Sequence, residues 1–152
     1  MTTAMPPARN LHFVVGYDGS PPASRALESA VALMRGRTGR IEVVYVAHLS
    51  STVMLSADAV AEMEVDFDEI AEELRKQADE QLRGRDVSWG FERRQGIIAE
   101  ELIAAATGIH TGHPDDTAVI VVGSSSHAVH RMVGSVAVSL ARHSPVPLVV
   151  VP

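Results

Sequence analysis

Ala118–Pro152 constrains the fold more than any other stretch of the chain. Ala118–Val122 (AVIVV) is a short, continuous apolar run, the pattern of a strand covered on both faces. Gly123-Ser124-Ser125-Ser126 follows at once. Val133, Val136, Ala137 and Leu140 then fall on one helical face, in a segment opened by Gly134-Ser135-Val136. Pro145 and Pro147 end that helix, and Leu148–Val151 reads as a second buried strand. Strand, Gly/Ser loop, helix and strand make a βαβ unit. The helix N-terminus of such a unit offers main-chain N–H groups and the positive end of a dipole, so the loop suits an anion such as phosphate.

The rest of the chain repeats this alternation. Leu11–Val15 (LHFVV) is predicted as the first strand. Gly16-Tyr17-Asp18-Gly19-Ser20 is a tight turn in which the glycines allow positive φ and Asp18 hydrogen-bonds nearby backbone. Ser20 and Pro21 suit an N-cap and the first helical position. Ala23, Ala26, Leu27, Ala30, Val31 and Met34 repeat at helical spacing up to the breakers Gly36 and Gly39. Ile41–Ala47 is the second strand, and His48 to Ala57 is a polar connection, long for its place. A helix from about Asp58 to Arg83 carries Val60, Met63, Phe67, Ile70, Leu74, Ala78 and Leu82 on one stripe, with an i, i+4 pair between Glu72 and Lys76. Val87, Trp89 and Phe91 alternate with polar or small residues, as in a strand at a sheet edge. Gly96 precedes a helix with Ile98, Leu102, Ile103 and Ala106 inward, and Thr107 to Thr117 reads as a surface loop. Five strands alternating with four helices predict an α/β fold with a parallel sheet. Ligands of such sheets sit beyond the C-terminal strand ends, here Gly16–Ser20 and Gly123–Ser126.

Composition excludes several classes of function. At 152 residues, one domain is expected, and 46% hydrophobic residues supply a core. A net charge of −6 without a basic run argues against nucleic acid or an anionic membrane surface as partner. No apolar stretch approaches the roughly 20 residues of a membrane span. The chain has no cysteine, which removes thiol chemistry and fits a cytoplasmic protein. Residues 1–10 lack the pattern of a signal peptide and read as a disordered lead-in.

The polar residues carry competing readings. Asp18 serves either a ribose or metal, or only its own turn. Ser135 serves a phosphate, an N-cap, or both. His127 and His130, beside Arg131, suit a metal, a phosphate (most strongly through Arg131) or plain solvent exposure. Glu62, Glu64, Asp66, Asp68, Glu69, Glu72 and Glu73 suit a divalent-metal site or, more simply, a solvated helix face. Arg142 and His143 near a helix end suit its dipole. No nucleophile, base and orienter stand out as a catalytic set, so no catalytic residue is assigned.

In order, these segments resemble the universal stress protein family. Gly16-Tyr17-Asp18-Gly19-Ser20 with Ala26-Leu27-Glu28 is similar to the family's opening. Val44-Tyr45-Val46 resembles its second strand, and Gly96 with Ala99-Glu100-Glu101-Leu102-Ile103 its third helix. Val121-Val122-Gly123-Ser124, Gly134-Ser135-Val136 and Pro145–Val151 are the most specific part. The resemblance runs from Leu11 to Val151 and implies a domain over 11–152. It implies a Rossmann-like, doubly wound five-stranded sheet ordered 3-2-1-4-5 with four helices. It further implies a cytoplasmic homodimer formed through the last strand and a role in stress response or signalling. Many members bind ATP, with magnesium; others do not, and would act through a protein partner. A slow ATPase is a weaker implication. Binders resemble Gly, two residues, Gly, nine residues, then Gly with Ser or Thr. Here Gly123 takes the first position, Ser126 replaces the second glycine, and Gly134-Ser135 the last, with ten residues between Gly123 and Gly134 where the pattern has twelve. By family position, Asp18 and Val46, beside the turn opening at Gly16, would face the nucleoside. Gly123 and Ser124 would face the phosphates, and Gly134, Ser135 and Val136 the far side, while Ala137 lacks a hydroxyl that many binders have.

Overall fold

Side chains along a strand alternate between the two faces of a sheet, and here each face has its own helical cover. The structure, a computed structural model, describes residues 9–48, 56–124 and 134–152. The expectations for residues 1–8, for the connection over 49–55, and for Ser125, Ser126, His127, His130, Arg131 and Val133 lie outside the described residues. The elements are β1 (Leu11–Gly16), α1 (Pro21–Met34), β2 (Gly39–Ala47), α2 (Ala57–Leu82), β3 (Trp89–Gln95), α3 (Ile98–Gly112), β4 (Thr117–Gly123), α4 (Ser135–His143) and β5 (Leu148–Val151). All strand pairs are parallel, in the order β3-β2-β1-β4-β5. This is the α/β architecture and strand order that the sequence led us to expect.

Phe13, Val15, Ile41, Val43, Val119 and Val121 face α1 and the second half of α2. Val14, Val44, Val46, Ala118, Ile120 and Val122 face α3 and α4. The predicted stripe of α1 is buried at every position. Complete burial of a Val or Leu stabilises by about 1.5–3 kcal/mol, so the two layers fix strand parity. A one-residue slip of β1 would exchange its faces.

Four local expectations change. The sequence between Thr107 and Thr117 is helical as far as Gly112. Ile109 packs on the second layer, the Thr111 hydroxyl donates to Thr107 O at 3.0 Å, and His113 N donates to Ile109 O at 2.8 Å. Two glycines did not outweigh that anchoring. β5 is half-buried along its length because it lies at the sheet edge. On α2 only Ala71, Leu74, Ala78 and Leu82 are buried, while Val60 and Ile70 stay 45% and 44% exposed. The helix is longer than the sheet edge beneath it. Glu72 pairs with Arg75 at 2.9 Å, which a bidentate guanidinium favours over the expected Lys76.

The start of the sheet is tied tightly. Leu11 N donates to Thr38 O and Thr117 N to Asn10 O, both at 2.9 Å. Asp116 accepts from Asn10 N at 3.1 Å and meets His12 Nε2 at 2.8 Å. The His12 ring stacks on His113 with centroids 5.8 Å apart. The hydrogen bond to His12, with those from Asn10, holds the Asp116 carboxyl below its ordinary pKa.

Candidate functional site

The strand order reverses between β1 and β4, and the chain leaves these two strands in opposite directions. Their C-terminal ends diverge and leave a crevice, the usual ligand position in an open α/β sheet. A cleft of about 240 Å³ lies there. Gly16, Asp18, Val46, Gly123, Ser124, Gly134, Ser135 and Val136 all line it. The fold thus brings together every described residue that the sequence nominated. Ser126 and Arg131, nominated with them, lie outside the described residues.

The floor is apolar. Val44 and Val46 from β2, Leu102 from α3, Val122 from β4 and Ala137 from α4 line it, and all five are buried. Val44, Leu102, Val122 and Ala137 were not nominated. The available signal was strand parity: Val44 shares a sheet face with Val46, and Val122 lies on the face that α3 covers. Gly16 belongs to β1, where a Cβ would stand 3.1 Å from Leu102 Cδ1 and 3.3 Å from Val122 Cγ1. Its lack of a side chain keeps the floor open, and the positive φ expected of this turn falls on Gly19 instead, at 77°.

Gly123 has a separate packing role. A Cβ there would lie 2.5 Å from the Pro22 carbonyl carbon. Only glycine lets the end of β4 pass so close to the start of α1.

The rim is polar. Asp18 Oδ1 accepts from Ser20 N at 2.9 Å, so the carboxylate does brace its own turn. Tyr17 beside it is buried; that burial, and then the charge of Asp18, push its phenol up from the ordinary value and keep it neutral. Among the described lining residues Asp18 is the single formal charge.

The helix N-termini at the rim differ. Ser20 caps α1, its hydroxyl accepting from Ala23 N at 3.3 Å. α3 starts without a side-chain cap but has Glu100 and Glu101 in its first turn. Among the described residues α4 has no side-chain cap and no first-turn acid, and Arg142 and His143 sit in its last turn. Its N-cap is Gly134 rather than Ser135, so the hydroxyl of Ser135 does not cap the helix as the sequence suggested. The first N–H groups of a helix lack intrahelical acceptors. Those of α4 carry its positive dipole end to the cleft, where Gly134 and Ser135 line the wall. The arrangement suits a flat apolar group on the floor, a hydroxylated group near Asp18 and an anion at α4.

Among the described residues no group of three or more His, Asp or Glu side chains could hold a metal ion. No described helix is long and apolar enough to cross a membrane.

Known structures share the architecture. Universal stress protein UspA from Lactobacillus plantarum superposes with a TM-score of 0.77 at 22% identity, over 95% of this chain and 99% of that one. A universal stress protein in complex with cAMP gives a TM-score of 0.56 at 21% identity, over 95% and 99% of the two chains. A family protein from Arabidopsis thaliana with AMP bound gives 0.60 at 14% identity, over 93% and 90%. No curated protein matches the chain. The model of the universal stress protein family matches residues 10–152. The chain belongs to the universal stress protein family.

Proposed function

We propose that the cleft binds an adenine nucleotide and that the protein is a nucleotide-responsive module of stress adaptation in the cytoplasm. The base lies on the floor made by Val44, Val46 and Leu102, Asp18 accepts from ribose hydroxyls, and the phosphate meets the N-terminus of α4. The observation that carries this reading is the α4 N-terminus at the rim of an apolar crevice, with no side-chain cap or acid on it among the described residues. The solved relatives with cAMP and AMP bound support the choice of adenine. ATP fits the same reading. Its magnesium would arrive with the phosphates, which with water supply most ligands of that ion, since Asp18 is the one described carboxylate lining the cleft.

We also infer a homodimer through β5. The two sheet edges differ in charge. β3 carries Arg93 and Arg94 in ion pairs with Glu64, Asp68, Glu92 and Glu101, a device that discourages strand addition. β5 is four aliphatic residues with no charge. Ile120 N donates to Pro147 O at 3.0 Å and Ser124 N to Val151 O at 2.7 Å. By that alternation Leu148 and Val150 turn their main-chain groups outward, and a second copy of the strand satisfies them.

Calorimetric titration of the dialysed protein with AMP, cAMP and ATP, with and without magnesium, tests the nucleotide reading. Binding on the order of micromolar is expected, about −8 kcal/mol. The backbone at Gly134 (φ −63°, ψ 161°) is open to any residue, so Gly134→Val should weaken binding about tenfold or more while the melting temperature holds. A second reading rests on the loop of ten residues between Gly123 and Gly134, with serine at 126: a module without nucleotide, acting through a protein partner. Silence at millimolar nucleotide would remove the first reading and favour the second.

A further inference from the structure

The end of β5 is gripped by the two elements that frame the cleft. Ser124 lines the cleft and donates its main-chain N–H to Val151 O at 2.7 Å. Arg25, in the second turn of α1, donates through Nε to the Pro152 main-chain oxygen at 3.0 Å. α1 begins at the cleft wall with Pro22 and Ala23, and Pro22 stands against Gly123 with no room for a Cβ between them. Pro22, Gly123, Ser124, Val151, Pro152 and Arg25 therefore form a ring of contacts that starts at the rim and ends on the outermost strand. These contacts link Ser124 and the start of α1 to the end of β5.

We propose that occupancy of the cleft and pairing of β5 with a second copy of this chain are coupled equilibria, joined through Ser124 and Arg25. The inference rests on the nucleotide and β5-dimer readings above and adds their linkage. A nucleotide phosphate at the α4 N-terminus fixes the position of Ser124, which bounds the other side of the same mouth. Ser124 and Arg25 then hold Val151 and Pro152 in register for a second strand. Free-energy coupling is reciprocal, so the dimer also tightens each bound nucleotide, and with two sites per dimer the dimer constant changes by the square of that per-site factor. Arg25 does not line the cleft and acts as a positioning residue, through Pro152 alone.

The test uses the full chain and AMP as probe. Sedimentation equilibrium, without AMP and at saturating AMP, should show the dimer constant tightening about 25-fold or more, the square of a per-site factor of about five at the lower end of usual coupling. Val150→Pro removes an outward N–H of the edge strand without touching the β4 ladder. It should be monomeric and bind AMP about fivefold more weakly than the wild-type dimer, although Val150 lies outside the cleft lining. Arg25→Gln should keep both AMP binding and dimer formation but bring the dimer constants with and without AMP close together. If AMP binds and the dimer forms with a constant indifferent to AMP, the coupling is overturned and both underlying readings stand. If Arg25→Gln leaves the full AMP effect in place, the assigned route is overturned. Absence of any heat with AMP, cAMP and ATP removes the nucleotide reading and the coupling together. A wild-type monomer under all conditions removes the β5 dimer and the coupling, and leaves nucleotide binding intact.

Discussion

Asp18 braces its own turn and is the charge we propose for the ligand. One carboxylate oxygen holds Ser20 N at 2.9 Å, and the other has no hydrogen-bond partner among the described residues, which suits the proposed ligand contact. Asp18→Asn keeps the first acceptor and removes the charge. We expect nucleotide affinity to fall about tenfold, or 1.4 kcal/mol, with the melting temperature unchanged; calorimetry beside a thermal melt measures both. Unchanged affinity would leave Asp18 with the turn alone. At this scale the sequence was readable where the chemistry is local. Ser20 as N-cap, Asp18 in its turn and the stripe of α1 need only neighbours a few residues away. Gly123 was readable as a loop glycine, but its contact with Pro22 was not. That contact joins segments far apart in the chain, and no local pattern encodes it.

Among the elements, α2 departs most from its sequence pattern. The apolar stripe is continuous, yet burial stops at Ala71, because the edge of the sheet ends before the helix does. What holds the first half is Arg93 of β3. Its guanidinium meets Asp68 at 2.6 Å and Glu64 at 3.1 Å and lies over the Phe67 ring at 5.8 Å. Two of the seven acids read as a solvated face therefore pair with Arg93, and a third, Glu72, pairs with Arg75. These acids are partly exposed, and such pairs stabilise by only about 0–1 kcal/mol. Arg93→Ala should thus change global stability little and local stability more. Hydrogen exchange should speed up over residues 57–68 and stay slow around Leu74 and Ala78. Uniform exchange along α2 in the variant would mean that Arg93 does not pin it. Periodicity revealed that α2 exists and which face is apolar; the length of sheet available to cover it depends on strand ends that periodicity does not encode. The end of α3 was misread for a related reason, since Ile109 gains its anchor only when the second layer forms.

For the whole molecule, the parallel sheet and the place of the cleft were legible in the alternation of strands and helices. The strand order came from family resemblance, and the unlike sheet edges became visible only with the strands in place. The foot of the sheet carries the pH dependence we expect. The Asp116 carboxyl sits below its ordinary pKa, chiefly through the bond with His12. A carboxyl whose folded pKa is depressed adds stability above its unfolded pKa, about 3.9, and loses it as pH falls through the folded value. Asp116→Asn should therefore melt below the wild type at pH 7, with the gap closing below about pH 4. Scanning calorimetry across that range measures it, and a gap constant with pH would place the effect outside the carboxylate's charge.

The same foot bears on how the molecule can vary over generations. Pairing of β1 with β4 begins at Leu11 and Thr117, and the ties among Asn10, His12, Thr38, Asp116 and Thr117 lie at that end. The segment between Gly123 and Gly134 leaves from the opposite end, so residues lost there do not displace the strands. A change in the length of that one loop would then alter the proposed ligand site while the sheet stays in register beneath it.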